Sequence, residues 1–223
     1  TYIKPLIGAG AKYIWYFAIG LHIVLIVYFT LKFVWRLQMP KVFASYFIVY
    51  VGIAVAAVTA PVFEETAIGA CAFWFGFVAL IGLLVLVTIR YMKYKEIPEP
   101  AKPLFCIYAA PTSLCVAGYV QSVTPKSRGF LLAMLLVATV LYVLALVKAI
   151  SYLKLKFYPS YAAFTFPFVI SAIATKQTMV CLANMKQPIP VLQYVVLMET
   201  VIAVLFVIYT FIRFLQFIFS DQK

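Results

Sequence analysis

The stretch YAAFTFPFVISAIA, Tyr161 to Ala174, decides how the rest of the chain is read. It is apolar enough to lie in a bilayer, yet a proline stands at its centre. Pro167 has no backbone N–H to donate, and its ring crowds the carbonyl four residues back, that of Ala163. A helix kinks at such a point. In a membrane the freed carbonyl is tolerated only where protein or a water-filled cavity surrounds it. Phe164, Phe166 and Phe168 cluster at the kink, so the stretch reads as a pore-lining helix with an aromatic plug at its break.

The surrounding chain is of the same solvent class. Of 223 residues 66% are hydrophobic, against roughly 45–50% in a soluble domain, and the mean hydropathy is +1.08. Seven apolar runs, at about 13–35, 42–60, 67–92, 103–122, 129–152, 160–180 and 191–216, each suffice to cross a bilayer. Short connections join them, which predicts an all-α integral membrane protein with one transmembrane domain over residues 1–223. The ten-residue alternation of a membrane β-barrel is missing from the sequence. The net charge of +12 would suit a nucleic-acid partner. However, the cations stand at the ends of spans and form no basic stripe interleaved with aromatics, so no nucleic acid is expected. Placing the C-terminal ends of the odd spans on one side gathers twelve of the 18 Lys and Arg there, among them Arg36, Arg90, Lys148 and Arg213. The positive-inside rule then puts the C-terminus in the cytoplasm and residue 1 outside.

The spans alternate in kind. The third, fifth and seventh are long and uniformly apolar, as in helices that face lipid. The second is short and rich in small residues, with Ser45 and Gly52 as candidate lining positions. The fourth carries Pro111, which frees the carbonyl of Ile107, followed by Thr112 and Ser113. Hydroxyls beside a proline can re-satisfy freed backbone groups or touch a permeating ion, and both roles stand open for Ser113. In the sixth, Phe164, Thr165, Phe166 and Pro167 are the lining candidates. The expected architecture is a set of hairpins, with inner, proline-kinked helices around a central pore and outer helices shielding it from lipid.

Of the ionisable residues inside spans, three stand out. His22, the only histidine, reads as a hydrogen-bonding group to a neighbouring helix or as a proton relay. Glu199 lies deep in the seventh span, where a charged carboxylate costs on the order of 3 kcal/mol. Lys176, at a similar depth in the sixth, is its expected ion-pair partner. Otherwise Lys176 draws anions into an outer vestibule, or Glu199 couples transport to protons.

The sequence leaves little room for catalysis or cofactors. One His and one Asp, His22 and Asp221, cannot build a Ser-His-Asp triad, an HExxH zinc site or a metal cluster. There is no Walker A motif and no GxGxxG, so neither nucleotide hydrolysis nor a cofactor is expected. Cys71, Cys106, Cys115 and Cys181 form no CxxC pair and read as small packing residues.

AFTFPF at 163–168, AAPTS at 109–113 and the hairpin alternation together resemble the tellurite-resistance and dicarboxylate transporter family. That family includes TehA-like proteins, plant slow-type anion channels, malate permeases and sulfite pumps. The resemblance implies ten helices in five hairpins around a pore in each subunit of a homotrimer. The seven spans here then correspond to the last seven of ten, and the chain is expected to be trimmed at its front. It also implies small inorganic anions or dicarboxylates as partners, and a bacterial inner (plasma) membrane as location. Phe166 falls on the family's plugging phenylalanine, with Phe164 as the competing assignment. The implied function is an anion channel or channel-like transporter. A proton-coupled carrier of malate or another dicarboxylate is the alternative.

Overall fold

The computed structural model describes residues 4–220, so Asp221 and Lys223 lie outside the described residues. Among the described residues seven helical spans are long and apolar enough to cross a membrane. They are α1 (Gly10–Val34), α2 (Tyr46–Phe63), α3 (Thr66–Lys93), α4 (Glu99–Ser122), α5 (Arg128–Tyr152), α6 (Pro159–Asn184) and α7 (Leu192–Phe219). Short connections reverse the chain after each span, so the ends rich in Lys and Arg gather on one face. That face is called the basic end below, and the opposite face the far end.

The odd spans α3, α5 and α7 contain no proline and run as unbroken α-helices. The even spans are broken. In α2 a 3-10 turn, Val51–Ile53, separates two short α segments around Gly52. In α4 ten residues of 3-10 helix, Glu99–Tyr108, precede the α segment Ala109–Ser122. In α6 the 3-10 segment Pro159–Phe164 meets the α segment Phe166–Asn184 at Thr165. The two central prolines explain where the breaks fall. Pro111 and Pro167 sit in the first turn of their α segments, where an N–H would have no intrahelical acceptor. The chain therefore ends one helix type and starts another at the proline. This is a sharper interruption than the bend in a continuous helix expected from the sequence. Ten residues is also long for a 3-10 run, which seldom exceeds three or four.

Burial separates inner from outer spans. The most apolar window is 50% buried in α2, 83% in α4 and 56% in α6, but at most 33% in any odd span. α4 is the central element: twelve of the fourteen residues from Ala109 to Ser122 are buried. It packs against α2 on one side and α6 on the other, with α3 and α5 behind it. Small residues permit this closeness. A Cβ at Gly118 would stand 3.0 Å from the Cβ of Ala57, and one at Gly69 would stand 2.6 Å from that of Ala60. Aromatic layers fill the outer seams. Phe168 of α6 stacks on Phe206 of α7 with ring centroids 4.5 Å apart, and Tyr142 of α5 meets Phe168 edge-on at 5.5 Å.

Candidate functional site

The breaks in α2, α4 and α6 face one another across a groove of 660 Å³. Gly52, Pro111 and Pro167 line it, so each wall carries the residue that interrupts its helix. His22 contributes from α1, and the remaining lining is aliphatic or aromatic apart from Ser160. The α segments of α4 and α6 start at this groove. Their N-terminal turns, at Ala110 and Pro111 and at Phe166 and Pro167, form part of its wall.

Phe166 lines the groove and remains 49% exposed. Phe164, two residues earlier, is fully buried, with its ring 4.9 Å from that of Tyr161 and 5.9 Å from that of Phe206. Thr165 separates them with an irregular backbone (φ −97°, ψ −86°), and the two rings point to opposite sides of the span. Thr165 itself turns its hydroxyl back onto the carbonyl of Ala162 at 2.7 Å and does not line the groove.

Other candidates are placed differently from the sequence expectation. Ser113 is buried and faces away from the groove. Its hydroxyl donates to the carbonyl of Ala109 at 2.9 Å and accepts from the Ser171 hydroxyl of α6 at 3.0 Å. Ser171 also stands 2.9 Å from the carbonyl of Pro167 and shares its single proton between the two acceptors. These hydroxyls therefore serve the backbone at the two helix starts and tie α4 to α6. Two helical steps turn a side chain by about 200°, so Ser113 cannot share a face with Pro111. Ser45 precedes the first α segment of α2 near the basic end and also lies off the groove. His22 donates from Nε2 to the carbonyl of Val49 at 2.8 Å, beside the break at Gly52. It thus bonds a neighbouring helix while one side of its ring borders the groove.

The expected pair of Lys176 with Glu199 does not form. The salt bridge found among the described residues is Lys12 with Glu65, at the far end. Matching the two residues by depth ignored their direction around the helix. Thr175, one residue before Lys176, is buried and hydrogen-bonds the Glu199 carboxyl. Lys176 is exposed and lines a second chamber of 630 Å³ towards the far end. Glu199 is 2% exposed, leaves Oε2 without a partner, and borders neither cavity.

Beside the groove lies a small buried apolar cluster, unnoticed in the sequence, of Leu114, Ile170, Ala54, Ala110 and Ala117. Ala110 and Leu114 also line the groove, while Ala117 on α4 and Ile170 on α6 fall along their helices between the residues that line the two cavities. Aliphatic residues in apolar spans carry no individual signal, so only the packing identifies this cluster. At the far end, Lys12 and Tyr16 hydrogen-bond the Glu65 carboxyl and hold it below the usual carboxylate range.

Comparison with known families decides the identity. The family model described as SLAC1, voltage-dependent anion channel, matches residues 4–215. The chain belongs to this family. Neither the curated proteins nor the solved structures contain a match. The SLAC1 family covers TehA-like and SLAC1 anion channels and permeases, which are channels and transporters and not enzymes. As a member, the protein is an integral membrane anion channel or transporter. Its groove suits that class of cargo. Among the described residues no lysine, arginine or carboxylate lines it, while the α segment of α6, which starts at the break at Thr165, turns its N-terminus and that end's partial positive charge onto it.

Proposed function

We propose that this SLAC1-family chain passes small anions along the groove between α2, α4 and α6, with the Phe166 ring as a plug. The observation that carries the proposal is the half-exposed Phe166 ring at the meeting point of three helix breaks. An aromatic ring in a narrow apolar passage blocks ions sterically and by dewetting. The N-terminus of the α segment of α6 favours negative charge without binding any one anion tightly. Preference among anions then follows the cost of dehydrating each. Assembly as a homotrimer, a cytoplasmic C-terminus and a bacterial inner membrane complete the proposal and rest on the family resemblance and the charge count.

A proton-coupled dicarboxylate carrier fits less well. Its titratable groups would be His22, already bonded to a backbone carbonyl, and Glu199, which borders neither cavity. The deciding experiment records currents from protein reconstituted in planar bilayers under a sodium chloride gradient, then with nitrate. A reversal potential near the anion's equilibrium potential is expected. Absence of current together with saturable, pH-dependent malate uptake would replace the channel with the carrier.

A further inference from the structure

We infer that the chamber at the far end is a binding site for oxygen-bearing anions, carboxylates or inorganic oxyanions, held before they reach the apolar cluster of Leu114 and Ile170. Lys126 and Lys176 supply two positive charges to its wall, and Gln121, Gln177 and Asn184 supply amide groups. Among the described residues no carboxylate lines it. The contrast with the groove is chemical: similar volume, but donors in place of hydrocarbon. Ammonium and amide N–H groups make charge-assisted bonds to carboxylate and oxyanion oxygens, and so replace part of the ion's hydration shell.

Two simpler roles for Lys176 fall short. A cation can serve the negative end of a helix, but that effect is confined to the last turn. Lys176 stands eight residues before Asn184, the end of its helix, which is more than two turns. Service as an ion-pair partner fails as well, because Lys176 does not pair with Glu199. Gln177 Oε1 is buried and has no hydrogen-bond partner, so this amide is not committed to the fold through that atom. Along their helices Ala117 of α4 and Ile170 of α6, members of one buried apolar cluster, lie between the chamber and the groove. An anion arriving from the far end is thus captured with part of its water and stripped of the rest at that cluster.

The inference deepens the proposed anion passage and rests on it for its purpose, so its test avoids flux. The thiols of Cys71 and Cys181 are removed as Cys71→Ala and Cys181→Ala. Cys106 and Cys115 are fully buried and stay. Gln177→Cys then reports the chamber, with Asn184→Cys as a second position should the first fail to fold. The rates of modification by the anionic sulfonatoethyl and the cationic trimethylammonioethyl methanethiosulfonates are compared. A chamber of 630 Å³ is about 10 Å across, so the lysines act on the reporter from about 8 Å. At 0.1 M salt their replacement, Lys126→Gln with Lys176→Gln, should lower the anionic-to-cationic rate ratio about fivefold. Sodium succinate and sodium sulfate should slow modification more than sodium chloride at equal ionic strength, and lose that advantage in the double variant. An unchanged rate ratio, or equal protection by chloride, overturns the inference. Reactivity as expected in a protein that carries no current would instead remove the channel and keep the site.

Discussion

Replacing Phe166 by alanine tests the plug, and the structure sets the size of the effect. Full burial of a phenylalanine side chain is worth about 3 kcal/mol, and the Phe166 ring is 49% exposed. About half of that value, roughly 1.5 kcal/mol, therefore holds the ring against the groove wall. A difference of 1.4 kcal/mol is tenfold in an equilibrium. The plugged state is accordingly favoured about tenfold over the withdrawn one, and Phe166→Ala should raise the mean chloride current about tenfold. Phe164→Ala is the control. That ring is fully buried against Tyr161 and Phe206, so its loss should cost about 3–5 kcal/mol of stability without unplugging the groove. The assay is current per reconstituted protein in planar bilayers, with detergent-resistance melting as the stability readout. Equal currents from parent and Phe166→Ala, or a comparable rise in Phe164→Ala, would refute the reasoning.

Other outcomes follow from the surroundings of the groove. The Ser113 and Ser171 hydroxyls join α4 to α6, and interhelical hydrogen bonds in membranes average about 0.6 kcal/mol. A double-mutant cycle of Ser113→Ala and Ser171→Ala, read by unfolding in mixed micelles, should return a coupling of that order while conductance is unchanged. Glu199→Gln removes an ionisable group that meets no cation among the described residues but keeps an acceptor for Thr175. Its stability should stay within about 1 kcal/mol of the parent, and a larger loss would point to a missed partner. Glu65 has its carboxyl held low by Lys12 and Tyr16, so its contribution is present above the ordinary carboxylate range. It is lost only as pH falls through the lowered value. Crosslinking or hydrogen exchange at the far ends of α1 and α2 should therefore be flat from neutral pH to about pH 5 and loosen below about pH 4. Glu65→Gln should abolish that acid step.

The sequence made the spans legible because hydrocarbon thickness demands about 20 apolar residues, and nothing else in the chain imitates that. The division into inner and outer spans was legible for a local reason: Pro111, Pro167 and Gly52 cannot sit in the middle of an unbroken α-helix without cost. Direction around each helix was not legible. Ser113 follows Pro111 by two residues and so faces away from it, although in the sequence both read as lining candidates. Lys176 and Glu199 matched in depth, yet it is Thr175 that meets the carboxyl. The choice between Phe166 and Phe164 depends on the irregular backbone at Thr165; in the sequence it rested on family resemblance. The Leu114 and Ile170 cluster had no signal at all, because its residues are ordinary apolar ones made special only by what packs around them.

The central claim is that anions travel through the groove, and a thiol placed in its wall tests this most directly. Ala162 lines the groove beside Phe166 and is exposed. In an Ala162→Cys, Phe166→Ala protein lacking Cys71 and Cys181, attachment of a bulky methanethiosulfonate should abolish most of the chloride current. Chloride at high concentration should slow that modification. A current that persists after complete modification, verified by mass, would place the anion pathway elsewhere in the molecule.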